Sequence, residues 1–84
     1  MKYLFLEICA DHNDIVDFEE NFNALVGEEC GEEGYWLRTN RHDYGWSFDS
    51  EDRDRAFKAY RALQDAFGAR AGWTVTFTEH VYKD

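Results

Sequence analysis

Carboxylates are the most abundant chemically active groups in this sequence, and they are unevenly distributed. The 84 residues include 18 Asp and Glu against 9 Lys and Arg, which gives a formal charge of -9. Residues 1–36 contain ten acids and Lys2 as their only base, whereas residues 37–84 contain eight residues of each sign. The whole excess therefore lies in the first 36 residues, and the chemistry it favours is electrostatic binding of a positively charged partner.

The acids best placed for such binding lie on the predicted first helix and in the loop after it. Carboxylates four residues apart lie about 6 Å apart along a helix axis, so a rigid helix can present negative charges much as a phosphate backbone does. We predict a surface that competes for a cationic groove on a basic, nucleic-acid-binding protein and contacts neither nucleic acid nor membrane directly. The predicted partner-binding residues are Asp14, Asp17, Glu20, Glu28, Glu29, Glu32 and Glu33.

In size and acidity the chain resembles phage anti-defence inhibitors, including anti-CRISPR proteins, and immunity proteins for cationic nuclease toxins. The resemblance implies a viral or immunity protein that inhibits its partner by covering a DNA or RNA channel. Acidic surfaces also keep small proteins soluble, so solvation alone is the competing interpretation of the same residues.

Metal ligands and catalytic groups are present, but they are not spaced as known sites require. The acidic segment 28–34 lacks the alternating ligand order of a calcium-binding EF-hand. The cysteines and histidines match no zinc module, whichever of them are combined: Cys9, Cys30, His12, His42 and His80. Cys30 and His42 could form a nucleophile and base, but no local motif requires that arrangement. We therefore predict no metal, no cofactor and no enzyme activity.

Hydrophobic periodicity predicts six elements in a single domain spanning residues 1–84, with 44% apolar residues available for the core. The predicted elements are a strand at 2–10, a helix at 14–26, strands at 35–39 and 44–48, a helix at 51–67 and a strand at 73–81. Asn13 or Asp11 is the predicted cap of the first helix, and Asp49 or Ser50 that of the second. This order predicts the α+β class and a ferredoxin-like split βαββαβ fold, with a four-stranded antiparallel sheet and two helices on one face.

Two short segments resemble the aromatic motifs of the RNA recognition motif family, which shares this element order: Leu4-Phe5-Leu6 and Tyr44-Gly45-Trp46. The resemblance implies that Phe5, Tyr44 and Trp46 lie on the open face of the sheet and stack on bases. The need to fill the core predicts the opposite orientation for the third strand. If Tyr44 and Trp46 lay on the open face, only small residues of that strand would face the core. We therefore expect Tyr44, Trp46 and Phe48 in the core.

The open face of the sheet supports a second functional hypothesis. It is predicted to carry Tyr3, Phe5 and Trp36, and contiguous exposed apolar area commonly marks an interface. The alternative function is therefore an interaction or ligand-binding module that uses this face, with a homodimer as one form of that use.

The apolar run near the start of the chain predicts a strand and not a targeting or membrane segment. Residues 3–8 are interrupted by Glu7, and they are far fewer than the roughly 20 residues that cross a bilayer. Two cysteines without a disulfide pattern suit a reducing compartment. We expect a cytoplasmic protein, located in the host cytoplasm if it is encoded by a phage.

Overall fold

A computed structural model describes residues 2–81 and shows four strands with the helices between them. The strands are β1 (Lys2–Asp11), β2 (Glu32–Trp36), β3 (Arg41–Asp49) and β4 (Thr74–Val81). The helices are α1 (His12–Ile15), α2 (Glu19–Val26) and α3 (Arg53–Phe67), with short 3-10 turns at Val16–Phe18 and Ser50–Asp52. No helix within residues 2–81 is long and apolar enough to cross a bilayer.

All four strands belong to one antiparallel sheet in the order β2-β3-β1-β4. β1 pairs with β3 on one side, where Leu6 lies opposite Trp46, and with β4 on the other, where Leu6 lies opposite Phe77. β2 pairs only with β3, so β2 and β4 are the edge strands. The predicted α+β class and the single four-stranded antiparallel sheet are confirmed.

The core lies between one face of the sheet and the helices. On β1 the even-numbered side chains from Leu4 to Ala10 are fully buried while the odd-numbered ones stay partly exposed, which is the alternation of a strand covered on one side. Both α2 and α3 supply residues to the same cluster, including Phe22 and Leu63, so they pack on one face of the sheet. We refer to the two sides of the sheet as the helix side and the open side.

The third strand resolves the conflict between the resemblance and the packing argument in favour of packing. Tyr44, Trp46 and Phe48 are all buried in the core, so the orientation implied by the RNA recognition motif resemblance is wrong for Tyr44 and Trp46. The physical reason is volume, because these three rings fill the space under α2 and α3. Of the three aromatic residues that the resemblance placed on the open face, only Phe5 lies there.

The first predicted helix is interrupted. The continuous helix expected at residues 14–26 is α1, a 3-10 turn and α2, with Asp11 capping α1 by accepting a 3.0 Å hydrogen bond at Oδ1 from the Asn13 amide. A 3-10 turn advances about 120° per residue instead of 100°, so three such residues rotate the following helix by about 60°. Within α2, Phe22 and Val26 are four residues apart and share the buried face, while Leu25 is 40% exposed.

The first strand of the hairpin begins and ends earlier than predicted. β2 spans Glu32–Trp36 instead of residues 35–39, and β3 extends beyond the expected 44–48 at both ends. The turn between them closes at Asn40, which has a positive φ of 53° that asparagine tolerates well. Local periodicity could not place this turn, because its position depends on contacts between Asn40 and the start of α1.

The second long helix also begins later than predicted. α3 starts at Arg53 after a 3-10 turn at Ser50–Asp52, and neither Asp49 nor Ser50 caps it. Asp52 occupies the position before the helix and makes no capping hydrogen bond with its side chain. That carboxylate instead accepts a 3.3 Å hydrogen bond from Arg55, which satisfies it on the helix surface.

Candidate functional site

Three of the predicted partner-binding carboxylates lie together on the segment from α1 to α2. Asp14 is on α1, Asp17 on the 3-10 turn and Glu20 at the start of α2, and all three side chains are exposed. None of them forms a salt bridge with another residue in the range 2–81. Their spacing of three residues places successive carboxylates about one turn apart, so this segment presents a row of uncompensated negative charge.

Glu28 lies in the following loop and has a structural partner. Its carboxylate accepts a 2.9 Å hydrogen bond from Arg55 of α3, and its backbone carbonyl accepts a 3.1 Å hydrogen bond from the Trp46 indole. The Arg55 guanidinium also lies 4.8 Å from the centre of the Phe48 ring. Glu28 therefore holds the loop against α3 and β3, while its neighbour Glu29 is exposed without a salt bridge to any described residue.

Glu32 and Glu33 are adjacent on β2 and point to opposite sides of the sheet. Glu33 lies opposite Tyr44 and shares its helix side, where its Oε1 is 2.7 Å from His42 Nε2. Glu32 lies opposite Gly45 and therefore shares the open side with Glu7, which lies opposite Gly45 from β1. The structure thus divides the seven predicted acids into four groups. Asp14, Asp17 and Glu20 form the exposed row, Glu28 and Glu33 are paired, Glu32 lies on the open side, and Glu29 is exposed in the loop.

A histidine network on the helix side was missed by the sequence reasoning. His42 is only 5% exposed, and its Nδ1 is 2.7 Å from Nδ1 of His12. Because an ionised Glu33 can only accept, His42 Nε2 donates to it, while the tautomers of the two rings determine which Nδ1 donates in the His12–His42 hydrogen bond. The alternation of His42 with Tyr44 and Trp46 along β3 was the available signal, since it puts all three side chains on one face.

Asn40 connects this network to the hairpin turn. Its backbone carbonyl accepts a 2.7 Å hydrogen bond from the His12 amide, its Nδ2 donates to Asp11 over 3.2 Å, and its Oδ1 accepts from the Tyr35 hydroxyl over 2.8 Å. These contacts fix His12 beside His42. The network is therefore part of the junction between α1 and the hairpin.

Cys30 and His42, considered as a nucleophile and base, form no hydrogen bond with each other. The Cys30 thiol donates to Glu19 Oε1 over 3.6 Å, and burial and the Glu19 carboxylate raise the pKa of this thiol. A raised pKa keeps the sulfur protonated and weakly nucleophilic near neutral pH. Cys9 and Cys30 are both free thiols, and no group of three His, Cys, Asp or Glu residues within 2–81 is arranged to hold a metal ion.

Tyr44 contributes a buried polar atom with no partner. Its hydroxyl is inaccessible and forms no hydrogen bond within the described residues. Burial, together with the negative charges of Glu33 and Glu19, raises the pKa of Tyr44 to about 12. The phenol is therefore neutral at physiological pH, and its hydroxyl is an unsatisfied group on the helix side.

The open side carries three carboxylates close together, of which only Glu32 was among the predicted residues. Burial, followed by the nearby charges of Asp43 and Glu32, raises the pKa of Glu7. None of the three forms a salt bridge with a residue in the range 2–81. The alternation of β1 already placed Glu7 on this side, but its proximity to Asp43 and Glu32 requires the register of three strands.

The predicted apolar patch on the open side is divided. Tyr3 stacks on His80 with ring centres 5.0 Å apart, and Phe5 makes an edge contact with the same imidazole at 6.1 Å. Trp36 lies opposite Arg41 at the far end of the sheet, 59% exposed and next to the 81% exposed Leu37. The structure therefore groups Tyr3 with Phe5 and places Trp36 at the hairpin tip.

Comparison with known proteins gives no relative from which a function could be transferred. No family model, no curated protein and no solved structure matches this chain. The functional argument therefore depends on the geometry and charge of these surfaces.

Proposed function

We propose that this protein is a small non-enzymatic binding protein whose acidic surface occupies a positively charged, nucleic-acid-binding site on another protein. The observation that carries the proposal is the row formed by Asp14, Asp17 and Glu20, which is exposed and forms no salt bridge within residues 2–81. A cationic groove would supply the missing counter-charges and would be steered to this row by its field.

The distribution of paired and unpaired charge supports binding over solvation alone. On and around α3, Arg53 pairs with Glu79 of β4, and Arg55 pairs with Glu28 and Asp52. A surface that serves only solubility intersperses both signs in this way. The α1–α2 row has no basic residue among its neighbours in sequence, which is the pattern expected of a surface completed by a partner.

The biological outcome that we propose is inhibition, since a protein seated in a cationic channel excludes DNA or RNA from it. This is the mode of action implied by the likeness in size and acidity to anti-CRISPR and immunity proteins. In this proposal Glu28 and Glu33 have a smaller role than their five companions, because their carboxylates are already engaged by Arg55 and His42.

We also infer that the fold belongs to the ferredoxin-like split βαββαβ class. Two features support the inference: β1 and β3 are the central strands, and each is followed by helical segments that pack on the same side of the sheet. This scaffold leaves the open side of the sheet uncovered by helices, so the alternative function, an interaction module acting through that side, uses a different surface from the α1–α2 row.

A charge-reversal experiment with a matched control tests the proposed function. The triple variant Asp14→Lys, Asp17→Lys, Glu20→Lys is compared with Glu51→Lys, Asp54→Lys, Asp65→Lys, which reverses three exposed acids around α3. In a pull-down, the tagged wild-type protein should retain a nucleic-acid-binding protein at low salt and release it at high salt. It should also inhibit the binding of that protein to DNA or RNA. The first variant should lose capture and inhibition, and the second should keep both.

Two results would contradict the proposal. Equal loss in both variants would show that total charge, and not the α1–α2 row, controls the interaction. Capture that persists at high salt and in the first variant would favour the interaction module on the open side. Circular dichroism of each variant separates loss of binding from loss of the fold.

A further inference from the structure

The open side of the sheet is strongly biased towards negative charge. The register of the four strands assigns to this side the odd-numbered residues of β1 and β3 and the even-numbered residues of β2 and β4. Among the described residues, one guanidinium, that of Arg41, shares this face with five carboxylates: Glu7, Asp11, Glu32, Asp43 and Asp49. A face of one sign is complementary to a basic partner and repels a second copy of itself.

Arg41 does not neutralise the centre of this face. It lies at the end of β3, opposite Asp11, and its Nη1 donates a 2.8 Å hydrogen bond to the backbone carbonyl of Gly72. It forms no salt bridge with Glu7, Glu32 or Asp43. None of the three central carboxylates therefore forms a salt bridge with a cation in the described part of the chain.

Glycines lie between these carboxylates on the sheet. Gly45 lies opposite Glu7 on one side and Glu32 on the other, so two carboxylates flank a position that has no side chain. In the next cross-strand row, Asp43 lies over Gly34, where an added Cβ would come within 2.6 Å of Asp43 Oδ1. Gly45 is buried, so neighbouring side chains cover the area between the three carboxylates.

An aromatic ring forms part of that area. The Phe5 ring lies over Gly45 so closely that a Cβ there would overlap its Cζ and Cε1 atoms. The ring is only half-buried, and it continues through His80 to the stacked Tyr3 ring. Carboxylates beside an accessible aromatic ring suit a guanidinium, because this group stacks on the ring and donates paired hydrogen bonds to carboxylates.

We propose that the centre of the open side, formed by Phe5, Glu7, Glu32 and Asp43, binds an arginine side chain from a basic segment of a partner protein. The inference rests on the proposed function, because it specifies which chemistry of a cationic partner this chain recognises. Arginine is favoured over lysine because its planar group can contact the Phe5 ring and two carboxylates together, whereas an ammonium is a compact, strongly hydrated charge.

The test uses an octapeptide of alternating arginine and threonine, added to the isotopically labelled full chain at low salt. Amide NMR shifts should be largest at Phe5, Glu7 and Gly45 and smaller at Asp14 and Asp17. The matching lysine and threonine peptide should bind about tenfold more weakly, since it loses the bidentate and stacking contacts. Replacement of Phe5 by leucine should remove most of this preference for arginine.

Matched variants separate this surface from the α1–α2 row. Glu7→Gln combined with Asp43→Asn removes two charges from the open side, and Asp14→Asn combined with Asp17→Asn removes two from the row. The first pair should weaken binding of the arginine peptide by about tenfold, and the second should weaken it by about twofold or less. Dispersed amide spectra confirm that each variant remains folded.

Three results would overturn the inference: no binding of the arginine peptide, equal affinity for the two peptides, or equal weakening by the two pairs of variants. Capture of a nucleic-acid-binding protein tests the proposed function separately. If that capture fails in the triple variant at Asp14, Asp17 and Glu20 but survives Glu7→Gln with Asp43→Asn, the function stands and the arginine site is wrong.

Discussion

The two sides of the sheet treat their carboxylates in opposite ways. On the helix side, Glu33 is held 2.7 Å from His42, which in turn is held 2.7 Å from His12. On the open side, burial and then repulsion from Asp43 and Glu32 raise the pKa of Glu7. Compensated charge beside a core stabilises the fold, whereas uncompensated charge on a wet face costs stability and remains available to a partner.

The largest effect should come from breaking the network on the helix side. His42→Ala removes two hydrogen bonds and leaves a cavity beside Tyr44, so we expect a loss of about 2–4 kcal/mol in the free energy of unfolding. Urea denaturation of the variant measures this loss. The control is His80→Ala on the exposed open side, which should cost less than about 1 kcal/mol. Equal losses would show that the network does not stabilise the junction.

A smaller effect tests the contact between Phe5 and Gly45 on the open side. Gly45→Ala should cost about 1–2 kcal/mol in the wild type, because the new methyl group overlaps the Phe5 ring and forces it to move. In a Phe5→Ala background the same change should be neutral or stabilising, since glycine inside a strand carries an entropic cost. A double-mutant cycle in urea measures the coupling, and additive losses would contradict the observed packing.

The next largest effect on stability concerns the Tyr44 hydroxyl, which has no hydrogen-bond partner among the described residues. Tyr44→Phe removes a buried group without a partner, so stability should be unchanged or rise by up to about 1 kcal/mol. Tyr35→Phe removes a hydroxyl that donates to Asn40 over 2.8 Å and should cost about 0.5–1 kcal/mol. Thermal unfolding compares the two directly. A greater loss for Tyr44→Phe than for Tyr35→Phe would mean that the Tyr44 hydroxyl has a partner in solution.

The smallest effect concerns the repulsion among the open-side carboxylates. Folding raises the pKa of Glu7 above the usual value of 4.5, first by burial and then by repulsion, so the folded state binds its proton more readily than the unfolded chain does. The stabilisation from that proton is present at pH below 4.5 and is lost as the pH rises through the folded-state pKa. Glu7→Gln should therefore stabilise the protein by a few tenths of a kcal/mol at pH 7.

The pH dependence provides the control for this prediction. Chemical denaturation at pH 7 and at pH 4 should show a gain from Glu7→Gln that shrinks on acidification. Glu29→Gln, which changes an exposed loop carboxylate without a salt bridge to any described residue, should show a smaller gain at pH 7. A gain from Glu7→Gln that grows at pH 4 would reverse the sign and exclude repulsion as its cause.

Most elements of the fold were predictable because their signals are local. The alternation in β1 and the spacing of Ala56, Leu63 and Phe67 in α3 depend only on neighbouring residues. The interruption between α1 and α2 and the position of β2 were not predictable in this way. The first is a 3-10 turn at Val16–Phe18 within one apolar pattern, and the second depends on Asn40 meeting the start of α1.

The candidate site was predicted only in part, for the same reason. Exposure of Asp14, Asp17 and Glu20 follows from their positions relative to the apolar stripe of a helix. The pairing of Glu28 with Arg55 joins residues 27 positions apart, and that of Glu33 with His42 depends on the hairpin register. The predicted acids therefore included two that the fold uses internally.

The sequence by itself determined the charge of the chain, its concentration in residues 1–36, and the face of each strand that turns towards the core. These properties depend on composition and short-range periodicity. Which carboxylates pair with a cation and which remain unpaired depends on the tertiary fold. Coulombic energy depends on distances between groups far apart in the chain, and those distances are set when Gly45 brings Glu7 and Glu32 to either side of one strand.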